Sequence, residues 1–517
     1  MSKKCLVLFL VLIIILGSFF RLYKISQIPP GLWPDEAINA NEALEKPGKV
    51  FYPENNGREG LYINLLWLSF KIFGIKISTI RLTSAIIGIL TLIFFYFFAL
   101  EISKYLNLKK EKEIALFSTF FLATSFWHTL FSRIGFRGIL LPFEIVTTFY
   151  FLLSGFNKKS LWRLILGGVF FGLGFYTYSS FRLIPLVVFV LFLVCLLKYG
   201  VKITIKNFVI LGIVAFIVAL PLFFYFLNHP DQFFGRLNQI SIFSSQNPIK
   251  AFFVSLSKHL LMFNFKGDPN WRHNIANYPQ LNLLVGFFFL VGIFWLCGLT
   301  IKSTKQKNWK NLSMFAFLFA LFFIPLLGGA LTIEGIPHSL RAIGTIPAVY
   351  LFAGIGIIKL EEFISKSKYF AKAWLYLLII ILPLIAAVEF HKYFIVWGQN
   401  ENVKGAFCES FVKMGEYLNS FGDDTKLYVI ANEPGVPVPW PDGISVMAQT
   451  LMFVEREKYH TPRAIYLKPN DLNKIQPSNR TIILLMRNDP ELFEKLQKKY
   501  PQGKINLNPP IFSFEIL

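Results

Sequence analysis

Apolar residues recur in runs of membrane-spanning length between positions 5 and 391, and polar residues are confined to the joints between the runs. A bilayer crossing needs about 20 mostly apolar residues. The pattern therefore predicts about eleven transmembrane helices, near 5–23, 78–100, 114–130, 138–156, 164–180, 183–198, 208–227, 281–301, 312–331, 342–360 and 373–391. The first run follows Lys3-Lys4 and shows no small-residue cleavage site before Arg21, the pattern of a retained anchor. Two joints are long. Segment 24–77 opens on Pro29-Pro30-Gly31-Leu32-Trp33-Pro34 and ends in the amphipathic stretch Leu61–Phe73, which reads as a helix lying in the interface. Segment 228–280 carries a predicted helix over 249–262. After His391 hydrophobicity falls and charge rises. There a helix over 408–421, strands over 426–431 and 481–486, a turn-rich insert at 433–441 and a helix over 490–500 predict a small α/β domain. The expected organisation is a polytopic α-helical membrane domain, residues 1–391, followed by an α/β domain, residues 392–517.

Charge orients the helices. One set of joints holds Lys104, Lys109, Lys110 and Lys112; Lys158, Lys159 and Arg163; Lys198, Lys202 and Lys206; Lys302, Lys305, Lys307 and Lys310; and Lys366, Lys368 and Lys372. By the positive-inside bias these face the cytoplasm. The N-terminus is then cytoplasmic, and segments 24–77, 131–137, 228–280, 332–341 and everything after 392 are extracytoplasmic, in an integral plasma-membrane protein. Composition agrees. The chain is 54% hydrophobic and 16% charged, with a mean hydropathy of +0.53 and 59 Phe, which excludes a wholly water-soluble protein. The net charge of +22 belongs mostly to the cytoplasmic lysines, so it does not indicate nucleic acid. Cys5, Cys195, Cys297 and Cys408 give no disulfide framework, and no CxxC or His-rich cluster suggests a metal site.

The outer joints use arginine instead: Arg133, Arg137, Arg182, Arg236, Arg272 and Arg341. Arginine binds phosphate through a bidentate fork. Anchoring to lipid headgroups or pairing with local carboxylates is the competing reading. Acidic residues are scarce on this side. Asp35-Glu36 follow the first span by about a dozen residues, so Asp35 reads either as a general base at the water–lipid boundary or as the N-cap of a helix over 37–44. Glu59 reads either as a second active-site carboxylate or as a partner of Arg58. Glu144, a turn inside the fourth run, has Arg133 or Arg137 as its natural partner. His128, His273 and His338 stand beside outer arginines, where His273 and His338 could donate to phosphate. Gly167-Gly168 and Gly172-x-Gly174 lie within a span and read as helix-packing positions.

An N-terminal span followed at once by Pro-Pro-Gly-Leu-Trp-Pro-Asp-Glu-Ala resembles the first-loop motif of integral-membrane glycosyltransferases of the GT-C class. It is most similar to the bacterial branch related to protein O-mannosyltransferases and to the aminoarabinose transferases of lipid A. Arg58-Glu59-Gly60-Leu61-Tyr62 resembles the motif that follows, with Gly60 in place of the usual prolines. Ser132-Arg133-x3-Arg137 and Pro337-His338-Ser339-Leu340-Arg341 look like later motifs of that branch. The resemblance covers about residues 1–391. It implies a GT-C-like fold and transfer of a sugar from a polyprenyl-phosphate donor to a lipid, polysaccharide or protein acceptor. Asp35 would be catalytic, with Glu36 beside it and Glu59 in support. Arg137, Arg341, Arg182, Arg133, Arg272, His338 and His273 would hold the donor phosphate.

The residues fit such chemistry. The leaving phosphate is already anionic and needs charge stabilisation rather than a strong acid. No cofactor is then required, although Asp35, Glu36 and Glu59 together could hold a divalent ion weakly. A transporter or flippase of an anionic lipid-linked substrate is the rival class. It is disfavoured because no internal repeat appears and the ionisable residues collect at the outer boundary rather than the midplane. A catalytically inactive envelope-assembly factor is the third.

Overall fold

The computed structural model describes residues 3–233, 235, 241–365, 368–478 and 480–516. Arg236 and Lys366 lie outside them. Among the described residues, nine helices are long and apolar enough to cross a membrane: Lys4–Leu22, Ile77–Tyr105, Arg137–Lys158, Ser179–Tyr199, Val201–Asn228, Leu283–Lys305, Trp309–Ala330, Ile343–Ile364 and Lys372–Trp397. Each matches a predicted run. The other two runs fold as shorter helices. Glu111–Thr124 stops where Ser125 leaves the helical conformation, and the Ser125 hydroxyl then accepts the His128 N–H to start the separate helix Phe126–Phe131. Leu161–Gly174 is 14 residues long, and the Phe181 ring packs against its last glycine so closely that a Cβ there would meet the ring at 1.9 Å.

The glycines of that helix do the packing expected of them. A Cβ at Gly168 or Gly172 would stand 2.8 Å or 2.7 Å from the carbonyl oxygens of Leu211 or Ala215 on the neighbouring span Val201–Asn228. Glu144 does not pair as expected. It is buried, and its Oε2 has no hydrogen-bond partner among the described residues.

The joints predicted for the outer side gather at one end of the bundle, where helices Pro34–Glu45, Leu61–Phe73 and Pro248–Leu261 lie. Non-helical backbone over 23–33 needs donors for its carbonyls. Buried arginines supply them: Arg81 reaches the Gly31 oxygen at 2.5 Å and Arg133 that of Ile28 at 2.9 Å, while Arg133 also takes the Phe20 carbonyl in the last turn of the first span at 3.1 Å.

Beyond the last span, five strands form one mixed sheet in the order Ile465–Leu467, Lys426–Ile430, Thr481–Leu485, Ile511–Ile516, Lys504–Asn508. The first three are parallel and the last two antiparallel. Helices Glu409–Asn419 and Pro490–Lys499 and both predicted strands fall where the sequence put them; helix Gln449–Tyr459 and the strands after Lys499 were not anticipated. Gln449–Tyr459 packs on Pro34–Glu45. Asn41 donates to the Gln449 oxygens at 2.8 and 3.0 Å, and the Thr450 hydroxyl donates to the Leu32 carbonyl at 3.0 Å.

Candidate active site

Pro34 opens its helix at the first position, where the missing N–H costs nothing. Asp35 is therefore not the cap. The capping carboxylate is Glu36, which accepts the Trp33 N–H on Oε1 at 3.3 Å and the Gly135 N–H on Oε2 at 2.5 Å. Glu36 is fully buried, and burial raises its carboxyl above the ordinary range against the pull of Arg81. The tandem acids thus divide: Glu36 fastens the first loop to the turn at Gly135, and Asp35 faces a cavity. Asn55 donates to Asp35 Oδ1 at 2.8 Å. Asn55, Asn56 and Gly57 hold φ of 48°, 67° and 80°, a left-handed turn that asparagine and glycine tolerate.

Behind that turn, Arg58 is committed to Glu42 and to Asn39 Oδ1 at 2.8 Å, so it does not pair with Glu59. Glu59 is buried and lies against two arginines, 2.9 Å from Arg137 Nε and 3.7 Å from an Arg182 terminal nitrogen. It is thus held away from reacting groups, as a brace for two guanidiniums. Each arginine sits on a short turn leading into a span. Arg137 lies over Tyr178 and Arg182 over Phe233, which fixes their heads. Arg341 is held by Thr332 Oγ1 at 2.9 Å and by Glu334.

Several of these residues line a cavity of about 560 Å³, whose polar lining includes Asp35, Arg58, Arg137, Arg182 and Arg341 and whose apolar lining includes Phe243, Leu327 and Leu331. A second cavity, about 240 Å³, shares Asp35, Phe136, Tyr178, Leu340 and Arg341 with the first and adds Asp268, Arg272, His273, Glu334 and His338. Asp35 stands at the boundary of both. Arg272 stacks 3.7 Å over Trp33, its foremost charge partner is Asp35, and its terminal nitrogens have no hydrogen-bond partner among the described residues.

Asp268 organises the second cavity. Its Oδ2 accepts from the Ser339 N–H at 2.7 Å, the Ser339 hydroxyl at 3.0 Å and His273 Nδ1 at 3.2 Å, and its Oδ1 accepts the Asn270 N–H at 2.8 Å. Burial alone would raise this carboxyl; the His273 imidazole and the N–H donors outweigh it and hold it below the ordinary range. Burial, together with His273 and Arg341, pushes His338 well below its ordinary value, so its ring is neutral. One ligand atom from each of Asp268, His273 and His338 lies within 4.8 Å of the others. Asp35, Glu36 and Glu59, expected to be able to hold a divalent ion weakly together, do not form such a group among the described residues. Glu36 is turned inward and Glu59 is taken by arginines. Asp268 and the His338 motif are separated by two spans, so spacing could not reveal the cluster.

One residue expected at the site, Arg133, is elsewhere, and its neighbour His128 is likewise engaged inside the bundle. Arg133 is fully buried on main-chain carbonyls and over Tyr393 and Phe394, and it lines neither cavity. Its long side chain is consumed by the exit of the first span. His128 lies against Arg21, 2.6 Å from Nδ1 to a terminal nitrogen. Asn55, Asp268 and Glu334 were not singled out from the sequence, although Asp268 lies a few residues before Arg272 and His273, which were.

Residues 61–225 match the family model for dolichyl-phosphate-mannose-protein mannosyltransferase. No curated protein matches the chain in sequence. Among solved structures, ArnT from Cupriavidus metallidurans bound to undecaprenyl phosphate is 12% identical, covers 100% of this chain and 99% of its own, and superposes with a TM-score of 0.55. The apo state of the same protein gives 11% identity, coverage of 100% and 98%, and a TM-score of 0.57. The chain has the GT-C fold. The apo Archaeoglobus fulgidus oligosaccharyltransferase shares it at 14% identity and a TM-score of 0.52, over 82% of this chain and 59% of that one. Within this GT-C chain, the family match takes in Arg137, Tyr178 and Arg182. Asp35 and Glu59 precede it, and Arg272, His273, His338 and Arg341 follow it.

Proposed function

We propose that this protein is an inverting glycosyltransferase that moves a sugar from a polyprenyl-phosphate donor to an acceptor hydroxyl at the outer face of the plasma membrane. The observation that carries this reading is the position of Asp35, among the described residues the one carboxylate lining the larger cavity, which Arg58, Arg137, Arg182 and Arg341 also line. The ArnT structure holding undecaprenyl phosphate supports a lipid-phosphate donor for a chain of this fold. The lipid tail runs along the apolar wall near Phe243, Leu327 and Leu331. The phosphate meets Arg137, Arg182 and Arg341, with Arg272 on the far side of Asp35.

Asp35 Oδ2 takes the proton of the acceptor hydroxyl as its oxygen attacks the anomeric carbon. The bond from that carbon to the phosphate oxygen breaks, and the arginines hold the departing charge. Glu59 keeps Arg137 and Arg182 oriented, and Glu36 fixes the helix that presents Asp35. The lysine-rich joints support a cytoplasmic N-terminus, which puts Asp35 and segment 392–517 outside. That segment forms a small domain bracing the first loop.

The test is incubation of purified protein with radiolabelled polyprenyl-phosphate hexoses and pentoses and fractionated envelope acceptors, with the Asp35→Asn variant beside it. Transfer by the native protein and its loss in the variant are expected. Equal transfer by both would remove Asp35 as the base, and movement of donor across vesicles without transfer would favour a flippase.

A further inference from the structure

A groove of about 530 Å³ lies between the loop that leads into Leu283–Lys305 and the end of the last span, and it shares no lining residue with either cavity at Asp35. Its apolar lining includes Tyr278, Leu283, Val388 and Val396. All four are exposed, Leu283 at 88%. Apolar side chains left open at the ends of two spans face the bilayer, so lipid covers them. The polar lining is Asn282, His391 and Lys392, with no carboxylate among the described residues. We infer that this groove binds a glycerophospholipid with an anionic headgroup, its phosphate at His391 and Lys392 and an acyl chain over Leu283 and Val388.

Chain direction gives the groove the polarity of such a lipid. Val388 lies about one turn deeper in the last span than His391 and Lys392, and Leu283 opens its own span. The apolar contacts are thus on the bilayer side and the basic groups at the boundary. Beyond Phe390 the helix widens into a π-helical stretch, His391–Trp397, which turns Tyr393, Phe394 and Trp397 into the bundle and leaves His391 exposed. The basic groups are not spent on a carboxylate. Glu389, the one acid of the last span, is buried with both oxygens occupied: Oε1 accepts from Asn282 Nδ2 at 2.6 Å and Oε2 from the Phe126 N–H at 2.8 Å. Lys392 Nζ donates to the Pro279 carbonyl at 3.1 Å and lies 4.7 Å from the Phe126 ring centre, which holds the ammonium at the groove with N–H groups to spare. Basic pockets beside spans bind anionic headgroups. A lysine that merely snorkels to whatever headgroup lies above it would show no choice among lipids. The loop forming one wall carries Arg272 and His273 a few residues earlier, and Trp397 Nε1 fastens it through the Trp271 carbonyl at 2.8 Å, so the bound lipid braces the loop beside the smaller cavity. The site does not depend on the transferase reading, and its occupancy can be read without turnover.

The test uses full-length protein in mild detergent, equilibrated with phosphatidylglycerol and phosphatidylcholine of matched acyl chains and read by native mass spectrometry. A phosphatidylglycerol retained in preference to phosphatidylcholine by about tenfold is expected, the size of one hydrogen bond to a charged group. His391→Glu, at an exposed position, and Lys392→Gln should each remove most of that preference while eluting as monodisperse protein. Leu283→Trp should lower retention of both lipids by filling the groove. Asp35→Asn should keep the preference whatever happens to sugar transfer. Equal retention of both lipids by the native protein would overturn the site, as would an unchanged preference in both His391→Glu and Lys392→Gln. Displacement of phosphatidylglycerol by equimolar undecaprenyl phosphate would give the groove to a polyprenyl lipid and overturn it too.

Discussion

Asn55 and Asp35 are joined by one hydrogen bond, 2.8 Å from Nδ2 to Oδ1, and Asp35 Oδ2 has no protein partner among the described residues. One oxygen is thereby fixed and the other left without a protein partner on a residue that lines both cavities. Asn55→Ala should lower kcat about ten- to hundredfold, the equivalent of losing a hydrogen bond to a charged group worth about 1.5–3 kcal/mol. Asp35→Asn should cost about 10²–10⁴-fold with donor affinity nearly unchanged. Radiolabel transfer alongside donor-binding measurements separates the two effects; a donor affinity that collapses in Asp35→Asn would make Asp35 a binding residue.

Glu59 between Arg137 and Arg182 predicts a different signature. Breaking a buried ion pair from one side costs about 3–5 kcal/mol, so Glu59→Ala should lower thermal stability sharply. Glu59→Gln retains an acceptor oxygen and should raise the KM for donor while sparing kcat. A Glu59→Gln variant with normal KM and abolished kcat would return Glu59 to the catalytic role that its sequence motif implied.

Arginine roles separate by position. Arg137→Lys and Arg341→Lys should weaken donor use at least about tenfold at constant protein level, because lysine keeps the charge and loses the fork. Arg133→Lys should instead lower the amount of folded protein in the membrane, with normal KM in what remains. Steady-state kinetics on equal amounts of monodisperse protein check this, and wild-type kinetics for both cavity variants would move the phosphate to Arg272 and the histidines.

Glu36 gives a pH dependence with a defined sign. Burial raises its carboxyl in the folded state, so the folded chain holds the proton more tightly than the unfolded chain. Stability from this group is present below the ordinary carboxyl range and falls as pH rises toward the raised value. Glu36→Gln removes that dependence while keeping an oxygen for the Gly135 N–H. Its melting temperature relative to the native protein should rise between about pH 4 and neutrality; a flat difference would exclude a raised carboxyl.

The bundle was readable because run length alone identifies a span, and all nine long helices lie on predicted runs. Where helices break was not readable. The stop at Ser125 depends on a hydroxyl turning to cap the next helix, and the stop at Gly174 depends on Phe181 arriving from the following segment. The same divide runs through the site. Asp35 could be singled out because it is local to one unusual loop. Glu59 could not be told from a second acid, because Arg137 and Arg182 reach it from distant turns. The Asp268 cluster required the fold, since the loops bearing Asp268 and His338 meet only after Leu283–Lys305 and Trp309–Ala330 have packed.

The grip of Gln449–Tyr459 on the first loop sets an order of assembly. Leu32 is held by Thr450, Asn41 by Gln449, Glu45 by Arg456, and the Ile77 N–H by Glu457 at 2.5 Å. The loop that presents Asp35 is synthesised hundreds of residues before the helix that clamps it. Until then the chain is a bundle whose first loop, with Asp35, is not yet fastened. If Asp35 is the base proposed above, competence arrives in one late step, and a nascent or prematurely terminated chain ending before residue 449 would occupy the membrane with that carboxylate unclamped.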